Sequence, residues 1–380
     1  MEFKVSAPGK VILFGEHAVV YNKTAVAASL DLRTTLKFTE LPNHDSINLL
    51  MPKLDLNIEI PLKRIIDYFE VEKCPKYREN HEKFYKYVSE FVSGLNYSGV
   101  NQKLGLEALV YLLIAVLQSE SFDLKPFELF LDTGLSIGSG LGSSASFAVC
   151  ISTCFIHWSN LQKGLTTNLN KDELDKVSQY AMDCEKIMHG TPSGIDHTVA
   201  IYGSVIEFKK GEKLELKPIL GVTPMEILLV DTQVPRSTKK LVEKFAGLKK
   251  KFPKIYDPIL ESIDNVSKEA LAVIRKISKL DEQESISTYQ ELMTFMEINH
   301  GLLTSCQVSH PSLEKICAEA KKYNLSAKMT GAGGGGYGYI LLPPYISNQV
   351  VDQLSNQLIA DGFLVTRTNL GGVGVRIDKN

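Results

Sequence analysis

The chain has 380 residues, 44% hydrophobic and 23% charged, with a formal net charge of −2. That length suggests two or three domains, and the composition is that of an ordinary soluble globular protein. The near-neutral balance gives no global field for nucleic acid or an anionic membrane, so neither is expected as a partner.

Phe3 to Ala7 and Val11 to Phe14 read as two strands broken by Pro8-Gly9. Lys10 lies between them, and Gly15-Glu16-His17 follows. Lysine and glutamate are rarely buried without partners, so some of these side chains are expected to line a cleft, although a lysine at a strand start is ordinarily just solvated. The N-terminal stretch has no long apolar segment, so a secretory signal is not expected. Ala25 to Leu36 alternates as a strand. Residues 40 to 62 are polar and interrupted by proline, which predicts loop or ragged strand. The spacing of Phe84, Tyr87, Val88 and Phe91 predicts an amphipathic helix whose aromatic stripe is a core face. Leu104 to Leu117 is too short to span a bilayer and carries Glu107, so it predicts a core helix.

The most informative stretch runs from Asp132 to Gln162. Phe127 to Leu131 reads as a strand, followed by a turn holding Gly134, Gly138, Gly140 and Gly142, then Ser143, Ser144 and a long apolar helix. Between Asp132 and Lys163 there is no Asp, Glu, Lys or Arg, which predicts a helix buried nearly all round. Glycines permit positive φ and close backbone approach. A helix start offers unpaired N–H donors and the positive end of the dipole. Together these make a phosphate cradle, in which Ser143 and Ser144 cap the helix or hold a metal ion. A plain capped strand-to-helix turn needs fewer glycines. A P-loop needs lysine after the glycine run, and none is near. Gly140-Leu141-Gly142-Ser143-Ser144-Ala145 fits the dinucleotide pattern G-x-G-x-x-A, but the acid expected about twenty residues later is missing.

Lys171 to Met188 is amphipathic, with Asp172-Glu173 suited to its first turn and Glu185 near its end. The turn His189-Gly190-Thr191-Pro192-Ser193-Gly194 leads to Asp196, which alone could be a turn or capping aspartate. Met225 to Asp231 is a strand and opens a second domain, giving expected domains of 1–222 and 223–380, with a return of the last strand to the first domain left open. Val234-Pro235-Arg236-Ser237-Thr238 leads into a helix with eight basic residues between Arg236 and Lys254 and one acid, Glu243, mostly a solvated face. Helices follow over 255–280, 286–305 and 312–323. Thr330 to Gly336 is a glycine run between strands, implying a close backbone approach. Strand 337–342, helix 348–361 and strands 363–368 and 373–377 close the chain. The six cysteines lack C-x-x-C spacing and are expected to be reduced, in the cytoplasm. The C-terminal Asp378-Lys379-Asn380 is not a peroxisomal tripeptide, although a peroxisomal location is left open.

Gly140 to Ala145 resembles the core of the phosphate loop of the GHMP small-molecule kinases, P-x-x-x-G-L-G-S-S-A, with Leu135-Ser136-Ile137 where the usual proline would precede it. Three further strings resemble the same family in its order: A-P-G-K-V-I-L-F-G-E-H at 7–17, E-K-I-M-H-G-T-P-S-G-I-D at 185–196 and K-M-T-G-A-G-G-G-G at 328–336. The first two are most similar to the branch that phosphorylates mevalonate. The resemblance spans essentially the whole chain. It implies an α+β protein with an N-terminal domain like the second domain of a small-subunit ribosomal protein and a ferredoxin-like C-terminal domain.

It also implies ATP and Mg²⁺ as cofactors, with 5-phosphorylation of mevalonate in isoprenoid and sterol precursor synthesis. In that reading Ser139, Gly140, Leu141, Gly142, Ser143, Ser144 and Ala145 hold the phosphates, and Ser144 and Glu185 supply oxygens to Mg²⁺. Asp196 accepts the substrate proton. Lys10 keeps Asp196 ionised and touches the γ-phosphate. Glu16, His17 and Thr238 sit on the substrate side, and Arg236 is a candidate partner for the substrate carboxylate, which a guanidinium binds with two prongs. Gly331, Gly333, Gly334 and Gly335 form a supporting loop. Phe147 stands where a hydroxylated aromatic is common. Inhibition by prenyl diphosphates and a homodimer are further implications. Another GHMP kinase, acting on phosphomevalonate, homoserine or a sugar, and a non-catalytic nucleotide-binding regulator remain as alternatives.

Overall fold

A computed structural model describes the chain except residues 71–72, 166–168, 190–193, 211–213, 220–221, 281–283 and 379–380. The turn at 190–193 therefore lies outside the described residues. In chain order the first half comprises β1 (Glu2–Phe14), β2 (Thr24–Glu40), β3 (Ser46–Met51), β4 (Leu56–Pro61), α1 (Leu62–Tyr68), α2 (His81–Ser93), α3 (Val100–Glu120), β5 (Phe127–Thr133), α4 (Ser143–Gln162), α5 (Lys171–His189), α6 (Ile195–Tyr202), β6 (Val205–Lys210) and β7 (Leu214–Ile219). The second half comprises β8 (Met225–Asp231), α7 (Thr238–Lys251), α8 (Pro253–Ile277), α9 (Ser285–Ser305), α10 (Pro311–Lys322), β9 (Ala327–Met329), β10 (Tyr337–Leu342), α11 (Asn348–Ala360), β11 (Leu364–Leu370) and β12 (Arg376–Asp378).

These strands form one mixed sheet with the order β4-β3-β5-β2-β11-β8-β10-β9. The last four strands, β11-β8-β10-β9, have the strand order of a ferredoxin-like unit. In the sheet β11 meets β2 at one residue pair, Leu370 and Leu30. β1 lies along β2, and β12 pairs back onto β1 at Lys4 to Ser6.

Two expectations are corrected here. Pro8-Gly9 does not end a strand. β1 runs through it, and the register against β2 shifts between Pro8 and Gly9. A bulge absorbs the missing N–H of proline while keeping the strand paired. Residues 46 to 61, expected as loop or ragged strand, are a regular hairpin, β3 against β4. Their apolar side chains Ile47, Leu49, Met51, Leu56 and Ile60 are buried, so packing overrides the weak local signal.

The predicted helices form for the reasons of periodicity that foretold them. In α2 the buried residues are Phe84, Val88, Phe91 and Val92. α3 buries Glu107, whose carboxylate accepts from Tyr85 and Ser89. α4 has no exposed residue along its length and packs among α3, α5, α6 and the sheet. Its start is capped differently from expectation. The N-cap is Gly142 in the left-handed region, with no side-chain cap, and Ser143 and Ser144 are the first helical residues. The helix therefore presents its first N–H groups beside a residue that has no side chain.

Candidate active site

The phosphate-loop backbone is tied to β1, since the Lys10 N–H donates to the Leu141 carbonyl at 2.8 Å. The aliphatic stem of Lys10 crosses directly over Gly142, where φ is +76°. A Cβ at that position would lie 2.9 Å from Lys10 Cγ, so glycine is required both by conformation and by space. Beneath the loop, Thr34 Oγ1 lies 2.6 Å from Ser146 Oγ and 3.0 Å from Thr133 Oγ1, which fixes the first turn of α4 to the sheet.

Lys10 Nζ then reaches Asp196 Oδ1 at 3.2 Å. Asp196 stands in the first turn of α6, behind the left-handed N-cap Gly194. The pair is only partly enclosed, with side-chain exposures of 10% for Lys10 and 31% for Asp196. The carboxylate thus keeps a cation at one oxygen and an open side toward the cleft. Glu185, from α5, is buried close by and belongs to the same cavity wall.

The cavity has a volume of about 520 Å³. Gly138, Gly140, Gly142, Ser143, Ser144, Glu185, Asp196 and Thr238 form its polar end. Met51, Leu54, Leu104, Leu131, Ile137 and Phe147 form an apolar end, with Lys53 and Asn101 beside them. Sequence reasoning missed most of this apolar end. Met51 lies in the hairpin that was expected to be loop or ragged strand, and Lys53 and Leu54 in its connection. The alternation of Ile47, Leu49 and Met51 was the available signal.

Glu16 and His17 are placed differently from expectation. Glu16 is turned into the interior, where it pairs with Lys328 and accepts from Asn299 Nδ2 at 3.0 Å. Both members of the ion pair have side-chain exposures of 0%. Burial pushes the Glu16 carboxyl above its ordinary range and the Lys328 ammonium below its own, while their mutual attraction opposes both shifts. Lys328 also donates to the Met329 carbonyl at 2.8 Å. His17 stacks on Phe245, and its Nε2 donates to the Ala332 carbonyl at 2.9 Å. Burial lowers the imidazole pKa, which favours its neutral form. Both residues therefore hold the third glycine loop rather than face the cleft. A buried glutamate requires a counter-charge, and its source lies 312 residues away in the chain.

Arg236 is also more engaged than expected. Its Nη2 donates to the Ser139 carbonyl at 2.7 Å. A Cβ on Gly140 (φ +82°) would lie 2.6 Å from that same nitrogen. The guanidinium thus threads between the phosphate loop and the third glycine loop, whose Gly331, Gly333, Gly334 and Gly335 all have positive φ. Its Nη1 is buried without a hydrogen-bond partner among the described residues. The structure therefore lines one cavity with Gly140, Gly142, Ser143, Ser144, Glu185, Asp196 and Thr238, sets Lys10 against Gly142 and Asp196, and places Arg236, with Gly331 to Gly335, behind the loop.

A glycine-rich loop at a helix N-terminus, a carboxylate–lysine pair and a second buried carboxylate on one wall are parts suited to phosphoryl transfer. The GHMP kinase N-terminal domain model matches residues 108–204, and the GHMP kinase C-terminal model matches residues 277–360. The chain is 34% identical to a mevalonate kinase of Arabidopsis thaliana, over 99% of this chain and 100% of that protein. It is 32% identical to a mevalonate kinase of Homo sapiens, over 98% of this chain and 94% of that one. The chain belongs to the mevalonate kinase family. The fold agrees. The Methanococcus jannaschii mevalonate kinase superposes with a TM-score of 0.72 at 24% identity, covering 98% of this chain and 99% of that one. The L. major mevalonate kinase in complex with R-mevalonate gives 0.68 at 24% identity, covering 98% and 96%.

Two predictions follow from these contacts. Lys328→Met leaves Glu16 buried without its counter-charge and should lower stability by roughly 3–5 kcal/mol; adding Glu16→Gln should recover a large part of the loss, as read by chemical denaturation. Arg236→Ala should raise the KM for ATP by roughly 10- to 100-fold, because a charged hydrogen bond to the loop is worth about 1.5–3 kcal/mol. An unchanged KM for ATP would remove the loop-clamp role.

Proposed function

We propose that this chain transfers the γ-phosphoryl group of ATP to the primary hydroxyl of (R)-mevalonate, forming 5-phosphomevalonate and ADP. The observation that carries the residue roles is the half-open Lys10–Asp196 pair at the mouth of the phosphate-loop cavity. A purine ring fits the apolar end formed by Met51, Leu54, Leu104 and Phe147, and the triphosphate then runs toward Gly140, Gly142 and the first N–H groups of α4. The volume is in the range of small-ligand sites.

Asp196 accepts the proton of the C5 hydroxyl. The oxygen forms its bond to the γ-phosphorus as the bond to the β-phosphate oxygen breaks, and ADP leaves with the electron pair. Lys10 orients Asp196 through the ion pair, and its ammonium offsets charge on the transferring group. Thr238, at the start of α7, lines the same cavity, which supports its reading as a substrate-side residue. Arg236, expected as a partner of the substrate carboxylate, is instead engaged by the Ser139 carbonyl behind the loop and acts on the site through that clamp.

The donors present fit Mg²⁺. The buried Glu185 carboxylate and the Ser144 hydroxyl are hard oxygen ligands on the phosphate-loop wall. Among the described residues no three His, Cys, Asp or Glu converge on one point, which suits an ion completed by phosphate oxygens and water. When bound, Mg²⁺ neutralises phosphate charge during transfer.

The direct test is ADP release from Mg²⁺-ATP with mevalonate, run beside phosphomevalonate, homoserine and galactose. Turnover with mevalonate is expected, and turnover confined to another substrate would overturn the assignment. Asp196→Asn should lower kcat by about 10²–10⁴-fold with ATP affinity nearly unchanged. The apolar wall beside an anion cradle also supports binding of prenyl diphosphates. Geranyl diphosphate should inhibit competitively with ATP and not with mevalonate, and competition against mevalonate instead would place it elsewhere.

A further inference from the structure

α5 and α6 meet behind the cleft wall, and one contact between them is not used by the transfer chemistry. His197 Nδ1 lies 3.1 Å from Glu185 Oε2. Both side chains are buried, with exposures of 3% and 4%. An ionised carboxylate can only accept, so Nδ1 carries the hydrogen and donates it, which sets the tautomer. His197 directly follows Asp196 on α6. Successive residues of a helix point about 100° apart. The same turn therefore sends Asp196 to the cleft beside Lys10 and His197 inward to α5.

We propose that His197 is a positioning residue for the divalent cation. Its Nδ1–H holds Glu185 Oε2 and stops the carboxylate from rotating, which leaves Oε1 to serve the ion. The inference rests on the reading of Glu185 as a cation ligand. It adds a mechanical link that the ligand set alone lacks: the proton acceptor and the support of the cation ligand are neighbours on one helix turn. Any shift of α6 moves both together. A hydrogen-bonded outer partner of this kind commonly governs metal affinity by 10- to 100-fold.

Substitution by the two amides separates position from polarity. The amide nitrogen of asparagine falls near the place of Nδ1, whereas that of glutamine falls near Nε2. Binding of Mn²⁺ to the full chain with the imido analogue of ATP, followed by electron paramagnetic resonance, reads the ion without turnover. His197→Gln should weaken Mn²⁺ by roughly 10- to 100-fold, while His197→Asn stays near the parent value. The KM for mevalonate should not move in either variant, which a general loosening of the site would not allow. Equal Mn²⁺ affinity in the glutamine variant and the parent overturns the proposal, as does equal loss in both variants. Glu185→Ala separates the two levels of inference. If it leaves Mn²⁺ affinity unchanged, the metal reading falls and the proposal with it. If it weakens Mn²⁺ and His197→Gln does not, the His197 role alone is wrong. Should the variants fold poorly by melting curve, ¹⁵N-histidine spectra of the parent decide: a hydrogen on Nδ1 of His197 is expected, and an Nδ1 without one overturns the role.

Discussion

The cleft is built on the close passage of β1 over the phosphate loop. Lys10 donates its backbone N–H to Leu141 and lays its side-chain stem across Gly142. That contact brings an ammonium to the helix N-terminus without a flexible connection. It also references the loop to the strand that organises both halves, since β1 pairs with β2 and β12 and is stitched to the third glycine loop through Thr330. β2 and β11 meet at a single residue pair, and beside it the halves share an apolar cluster that joins Val11, Leu13 and Phe14 to Ile227, Leu229 and Tyr339. A side chain at Gly142 would separate the lysine from the loop and the loop from the strand.

Two lysine–carboxylate pairs, one from Lys10 within this strand and one from Glu16 two residues past its end, behave differently because their surroundings differ. Glu16–Lys328 is sealed, with Asn299 and the Met329 carbonyl completing its hydrogen bonds and the rings of Phe14 and Tyr339 about the ammonium. A fully satisfied pair of that kind specifies geometry and exchanges nothing with solvent. Lys10–Asp196 has one partner and an accessible side, so it can take up a substrate hydroxyl. The same residue types serve as a structural rivet in one place and as reactive groups in the other. Burial makes the difference.

Much of the site was legible because its chemistry sits in local strings. The glycine spacing from Gly138 to Gly142, the charge-free helix after it and the family motifs around Lys10, Glu185 and Asp196 pointed to phosphate handling before any coordinates. The roles of Glu16, His17 and Arg236 were not legible. Their partners, Lys328, Ala332 and the Ser139 carbonyl, lie between 97 and 315 residues away. The β3–β4 hairpin was hidden as well, since Pro52 and polar neighbours masked an alternation that only the packing of α3 against it makes worthwhile.

The chain alone determined the elements with strong periodicity, the anion cradle and the class of reaction, because backbone geometry and helix-end electrostatics are properties of contiguous residues. Tertiary structure decided which charges meet. It turned Glu16 inward and left Asp196 half open, bent β1 through Pro8 instead of ending it, and set His197 against Glu185. Each of those outcomes depends on desolvation and on distances between elements remote in sequence, and a linear string of residues carries neither.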